Sequence, residues 1–204
     1  MLDLRADPAA TTPRQETRIG SENAVLYPLF MDVSGSRCVV VGGGGVASRK
    51  VRGLLESGAR VVVVSPEVAP EIEAMDVTVE RRPYRSGDLA GAALAFAATD
   101  RREVNAAVAR EAKENGIPVN VADRPAEGDF ALPSVLRRGG LQVAVSTGGA
   151  SPTLARKIRN AMEPSFAAEW SRIVERFRVT REGGTDVDTR TEEEVVGCLS
   201  RLRG

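Results

Sequence analysis

The chain has 204 residues, with 28 basic and 28 acidic side chains and so no net charge at neutral pH, no histidine, two cysteines and 4% aromatic residues. The balanced charge points away from nucleic acid and membrane surfaces, and the few aromatics away from base-stacking platforms. Without histidine there is no histidine metal site and no Ser-His-Asp triad, so acid–base chemistry falls to carboxylates, Lys, Tyr, Cys or a cofactor. The length suits one domain with an appendage or two small ones. No apolar run reaches membrane-spanning length, no secretory h-region is present, and Cys38 and Cys198 form no C-x-x-C; a soluble, cytoplasmic protein is expected.

Residues 1–24 are polar and mixed and read as a disordered tail. Tyr27 to Val33 is apolar and suggests a short strand or a cover segment, and Ser34-Gly35-Ser36 a turn. Cys38-Val39-Val40-Val41 then has the pattern of a strand buried on both faces, followed by Gly42-Gly43-Gly44-Gly45 and the helical pattern Val46, Val51, Leu54, Leu55. Gly42, Gly44 and Ala47 fit G-x-G-x-x-G/A. In that pattern the first glycine permits a tight turn, the second admits a pyrophosphate, and the third small residue lets helix pack on strand. The plain alternative is a glycine turn without a ligand.

Gly58 suits the end of that helix, and Arg60 to Val64 reads as a second strand. A ribose-binding carboxylate should follow it, about 20 residues past the glycines. Ser65-Pro66-Glu67 stands there, with no Arg to hold a 2′-phosphate, which favours NAD over NADP. Pro66 to Ala74 suggests a short helix and Val77 to Glu80 a third strand. Arg81, Arg82 and Arg85 around Pro83-Tyr84 suggest a solvated edge.

Leu94 to Ala98 is a fourth buried strand running into Thr99-Asp100, which can reach a cofactor or, through Asp100, cap the next helix. Glu103 to Asn115 is helical, with Val104, Ala107, Val108 and Ala112 on one stripe, and Ile117 to Ala122 is a fifth strand. Strands alternating with helices imply a parallel, doubly wound, Rossmann-like sheet. The pattern then changes. Arg137-Arg138-Gly139-Gly140 reads as a basic turn and Leu141 to Ser146 as a strand with one open face; Ser151 and Pro152 open a helix. Helical segments follow around 164–179 and 191–202, joined by a charged link, Arg181 to Arg190.

Two stretches could carry chemistry. Asp123 follows the fifth strand directly, where ligands of open α/β sheets lie, and is either a general base or a turn residue before Pro125. Ser146-Thr147-Gly148-Gly149-Ala150-Ser151, followed by Arg156, Lys157 and Arg159, is either a polyanion receptor or a glycine turn beside a solvated basic face. Neither tyrosine is followed by a Lys four residues on, and the Cys and His ligands of a zinc-dependent dehydrogenase are missing, so two common reductase designs are absent.

The ordered combination of Tyr27-Pro28-Leu29-Phe30, Val40-Val41-Gly42-Gly43-Gly44-x-Val46-Ala47-x-Arg49-Lys50, Leu94-x-x-Ala97-Ala98-Thr99-Asp100, Asn120-Val121-x-Asp123-x-Pro125 and Ser146-Thr147-Gly148-Gly149-Ala150-Ser151-Pro152-x-Leu154-Ala155-Arg156 resembles the precorrin-2 dehydrogenase family, which includes the dehydrogenase/ferrochelatase part of siroheme synthase. The resemblance implies NAD-dependent oxidation of precorrin-2 to sirohydrochlorin, towards siroheme or cobalamin, by a homodimer. It implies three parts after the tail: a Rossmann domain over 25–133, a dimerisation region over 134–163 and a small helical domain over 164–204. It marks Asp123 as the catalytic aspartate. Gly45-Val46 and Pro66-Glu67 match the family's NAD-contacting positions; with the residue reading above, the cofactor is expected against Gly42, Gly43, Gly44, Gly45, Val46, Ser65, Pro66, Glu67, Thr99 and Asp100, and the substrate against Asn120, Ser146, Thr147, Gly148, Gly149 and Arg156. The same resemblance leaves open a bifunctional dehydrogenase and ferrochelatase, with Asp123 as the metal contact; a non-catalytic NAD-sensing module is the alternative from another class. No methyltransferase domain is recognised, so methylation is expected on another protein.

Overall fold

Valine runs that are apolar at every position need cover on both faces, and helices supply it here. The computed structural model describes residues 25–182 and 189–200, together with Ile19. Five strands, β1 (Arg37–Val41), β2 (Arg60–Val64), β3 (Thr78–Glu80), β4 (Leu94–Ala97) and β5 (Val119–Val121), form one sheet in the order β3-β2-β1-β4-β5. All four pairings are parallel. All five strands lie where the sequence places them, within a few residues at the ends.

Alternate residues of these strands pack on the two faces of the sheet. Val40, Val63 and Phe96 pack under helix α1 (Gly45–Glu56) through Ala47, Val51 and Leu54, and under the one-turn helix α2 (Pro70–Glu73) through Ile72. Val39, Val41, Ala95, Ala97 and Val121 pack on the other face under helix α3 (Arg102–Glu114) through Val108 and Ala112. The strand order reverses between β1 and β4, so the loops leaving these strands diverge and open a crevice at their carboxyl ends.

Several local expectations are corrected. Of the helix expected over Pro66 to Ala74 only Pro70–Glu73 forms, because the residues before it wrap the glycine turn: the Ala69 N–H donates to the Gly43 carbonyl at 2.8 Å. Tyr27 to Val33 forms no strand. Tyr27, Leu29 and Phe30 are exposed and only Val33 is buried. The arginines near Tyr84 are not a simple solvated edge. Arg82 makes a two-pronged ion pair with Asp88, and the Tyr84 hydroxyl donates to Glu111 at 2.6 Å. Arg137 and Arg138 belong to a strand rather than a turn: β6 (Ser134–Arg138) pairs antiparallel with β7 (Leu141–Val145), and only Gly139-Gly140 turns the chain.

This hairpin starts a second core. Leu136 packs with Phe166, Trp170 and Ile173, the last two on helix α5 (Glu169–Glu182), and with Cys198 on helix α6 (Thr189–Ser200). Helix α4 (Pro152–Met162) lies against the hairpin, its first turn capped by the Ser151 hydroxyl, which accepts from the Leu154 N–H at 3.1 Å, with Pro152 at the first helical position as expected. The expected tail over 1–24, Ile19 apart, and residues 183–188 of the expected link lie outside the described residues.

Candidate dinucleotide and acid–base site

Gly42 leaves β1 with φ +122°, in the region that only glycine occupies readily. A Cβ here would also overlap the Ala98 carbonyl at the end of β4. The first glycine therefore brings the two diverging loops into contact at the point where the sheet reverses. Gly43 is required for another reason: a Cβ would run into the Glu67 carbonyl. That carbonyl is fixed from its other side by the Ser65 hydroxyl, which donates to it at 2.6 Å. Ser65 is thus buried and turned inward, closing the loop that carries Pro66 and the exposed side chain of Glu67 against the glycine turn.

Gly44 and Gly45 differ. No protein atom lies within 4 Å of a Cβ placed on either one. Gly44 is the N-cap of α1 and offers no side chain to its first N–H groups, and no acidic residue stands in the first turn. A twelve-residue helix therefore points uncapped N–H groups, carrying partial positive charge, into open space beside a glycine surface. Val46, the second helical residue, is exposed beside them. These features fit a dinucleotide pyrophosphate.

Across the turn lies Thr99, its backbone nitrogen 3.1 Å from where a Gly42 Cβ would sit. Thr99 is gripped by Asn105 of α3. Asn105 Oδ1 accepts from the Thr99 N–H at 3.1 Å and from its hydroxyl at 2.8 Å, while Nδ2 donates to the Thr99 carbonyl at 3.0 Å. The fourth bond of this amide goes to Asp123, whose Oδ1 accepts from Nδ2 at 2.8 Å. Asp123 Oδ2 meets Arg102 Nη1 at 3.3 Å, and Arg102 is shared with Glu127. The expected base thus stands at the carboxyl end of β5, half exposed, and tied through one side chain to the loop that touches the glycine turn. Asp100 is exposed and does not cap α3: Arg101 is the N-cap residue and makes no side-chain capping bond.

Asn120 is buried on the α1 side of β5. Its Oδ1 accepts from Lys50 Nζ at 2.6 Å, and its Nδ2 donates to the Phe130 carbonyl at 2.9 Å. Lys50 also lies over the Phe96 ring, 5.4 Å from its centre. Burial, with Arg49 nearby, lowers its amine to about 8.

Asn105, Arg102 and Lys50 are members of this site to which no sequence motif assigns a role. A signal for two of them was present: Asn105 precedes Val108 and Ala112 at helical spacing, and Lys50 stands between Ala47 and Leu54, so each puts a polar group on a buried stripe.

The expected polyanion turn is carried by the other layer. Ser146 Oγ accepts from the Gly148 N–H at 3.2 Å, and the Thr147 hydroxyl both accepts from the Ser151 N–H and donates to its carbonyl, each at 3.1 Å. Gly149 completes the turn, and Arg156 projects, exposed, from α4. Because Val145 pairs with Ser134, this turn leaves the hairpin at the end where the chain arrives from Asp123. Among the described residues no group of three or more Cys, Asp or Glu could hold a metal ion, and no helix is long and apolar enough to cross a membrane.

Comparison with known proteins agrees with this geometry. Residues 29–134 match the family model described as putative NAD(P)-binding, and residues 138–163 the model of the sirohaem biosynthesis protein central region. The siroheme synthase of Nitrosomonas europaea is 42% identical over 159 residues, which are 74% of this chain and 34% of that protein. The siroheme synthase of Methylobacillus flagellatus is 45% identical over 150 residues, 72% of this chain and 32% of that protein. The chain thus spans about a third of the length of the curated relatives it matches. Among solved structures, SirC, a precorrin-2 dehydrogenase, superposes with a TM-score of 0.66 at 29% identity, over 82% of this chain and 86% of that one. With its glycine turn and five-stranded sheet inside the first match and its hairpin and α4 reaching into the second, the chain belongs to the precorrin-2 dehydrogenase family, the NAD(P)-binding part of siroheme synthases.

Proposed function

We propose that this protein oxidises precorrin-2 to sirohydrochlorin with NAD as the acceptor, acting as a homodimer in siroheme or cobalamin synthesis. The observation that carries this reading is the carboxylate of Asp123, bound through Asn105 to the loop that packs on the glycine turn. When bound, NAD supplies the hydride-accepting ring.

Every other part belongs to the chain. The N–H groups at Gly44, Gly45 and Val46 receive the pyrophosphate. Glu67 reaches the ribose hydroxyls, and the stretch from Ser65 to Ala69 carries no Arg to hold a 2′-phosphate, which supports NAD over NADP. The oxidation removes two hydrogens from the macrocycle and leaves one new double bond. One leaves as hydride; the other leaves as a proton, which Asp123 accepts and, being half exposed, passes to water. The acidic side chains of the macrocycle are met by the Ser146–Gly149 turn and Arg156, and Asn120 lines the floor beneath. Leu154 and Ile158, exposed on α4, support pairing of two copies through this layer.

The test is anaerobic incubation with precorrin-2 and NAD, following the absorbance of the macrocycle. Asp123→Ala should lower turnover by at least about 10³-fold, within the range for a lost general base, while NAD affinity stays within a few-fold. Turnover that survives this substitution would remove Asp123 from the chemistry. A protein that binds NAD and leaves precorrin-2 unchanged would instead be a nucleotide sensor.

A further inference from the structure

The Asn105 carboxamide has no solvent exposure, and all of its hydrogen-bonding positions are filled. Its orientation is unambiguous, because the Thr99 N–H can only donate and the Thr99 carbonyl can only accept; Nδ2 must therefore be the atom that faces Asp123. Three bonds fasten the amide to the loop after β4 and one reaches the loop after β5. These two loops border the crevice, and the first lies against Gly42. The other partner of Asp123 is of a different kind. Arg102 is more than a third exposed, lies at 3.3 Å, and is divided between Asp123 and Glu127.

We propose that Asn105 is a positioning residue for the dehydrogenation, a rigid spacer that fixes Asp123 Oδ1 relative to the cofactor-side loop. This rests on the reading of Asp123 as the proton acceptor. Backbone pairing between the two strands reaches as far as the Ala122 N–H, which donates to the Ala97 carbonyl at 2.9 Å, and beyond it Asn105 ties the carboxylate to the cofactor-side loop. A buried side chain with every bond satisfied has one conformation, so the distance between the two reacting centres is set before substrate arrives. A displacement of about 1 Å between such groups is enough to lower a rate about 10²-fold. Asn105 touches neither substrate nor cofactor, and its effect passes through Asp123.

Asn105→Ala and the milder Asn105→Ser both remove the bond to Asp123, because neither side chain extends to the position of the amide nitrogen. For each variant, kcat is measured per NAD-binding site, counted by titration, so that loss of folded protein does not register as loss of catalysis. The expected result is a fall of about 10²-fold in kcat per site, with the KM for precorrin-2 and the Kd for NAD changed by less than about threefold. A kcat per site within about threefold of the parent protein overturns the proposal. Asp123→Ala is measured alongside. If it too retains turnover, the acid–base reading falls; if it is inactive while the Asn105 variants work normally, only the positioning role falls. A second readout needs no substrate: amide exchange over residues 122–127 should quicken in both variants, and unchanged exchange would also overturn the proposal.

Discussion

A methyl group added at Gly43 would collide with the Glu67 carbonyl oxygen, whereas one added at Gly44 would meet no protein atom within 4 Å. The two neighbours are therefore glycine for different reasons. Gly43 is constrained by the fold, since backbone must move to admit a side chain; Gly44 has φ −87°, which any residue adopts, and is constrained only by what binds in front of it. Gly43→Ala should destabilise the protein by about 2 kcal/mol or more, as overpacking against backbone does. Gly44→Ala should cost less than about 1 kcal/mol, the difference between glycine and alanine at an N-cap. The order reverses for the ligand. Gly44→Ala should weaken NAD binding at least tenfold, about 1.4 kcal/mol, because the methyl group occupies the approach of the pyrophosphate. Thermal melting and a fluorescence titration of NAD check both halves. Normal NAD binding by Gly44→Ala would move the phosphate site off this turn.

At the scale of elements, the long connection between β3 and β4 hangs on α3. Glu111 is a buried carboxylate that accepts from the Tyr84 hydroxyl at 2.6 Å, the Gly87 N–H at 3.0 Å and the Leu89 N–H at 3.1 Å. Burial disfavours its charge, but these donors outweigh burial and hold its carboxyl below the ordinary glutamate value. Glu111→Ala strands three donors and should cost about 3 kcal/mol in urea unfolding. The sign of the pH dependence follows. With a folded value below the unfolded one, the contribution is present above the unfolded value and is lost as pH falls through the folded one, so the deficit of the variant should shrink in acid. A deficit that is constant with pH would show that folding does not shift this carboxyl, and one that grows in acid would show that it is neutral in the folded protein.

This network also shows why some elements were legible in the sequence and others were not. The five strands and α1 and α3 announce themselves because apolar residues recur at strand or helix period, and Asp123 because it directly follows a strand. Glu111 and Asn105 sit on the inner face of α3 yet are polar, so a stripe counted in apolar residues passes over them. Asp123 lies 18 positions from Asn105 and Tyr84 27 from Glu111, and they come within reach only once the sheet forms. The strand β6 was hidden by Arg137-Arg138, whose charges suggested a turn. In the folded chain those side chains reach Glu56 and Glu163 from the hairpin.

For the whole molecule, the number of cores matters. The sheet is packed on both faces by helices, whereas the hairpin core, among the described residues, rests on Leu136, Phe166, Trp170, Ile173 and Cys198. A core so much smaller buries less apolar surface to offset chain entropy and should melt first unless something covers it. Trp170 is the only tryptophan in the chain and lies inside this smaller core, tilted against Phe166 at 5.7 Å between ring centres. Its fluorescence therefore reports on the hairpin and C-terminal helices alone, while far-UV circular dichroism reports on the helices of both cores. In urea the fluorescence midpoint should fall below the dichroism midpoint. If two copies pair through α4, with Leu154 and Ile158 at the contact, the smaller core is the part that pairing stabilises. Raising protein concentration about a hundredfold should then stabilise it by up to about 2.7 kcal/mol and draw the fluorescence midpoint towards the other, leaving the sheet transition nearly fixed. Coincident midpoints at every concentration would mean that the two cores unfold as one, and midpoints that do not move with concentration would mean that pairing through α4 contributes nothing to their stability.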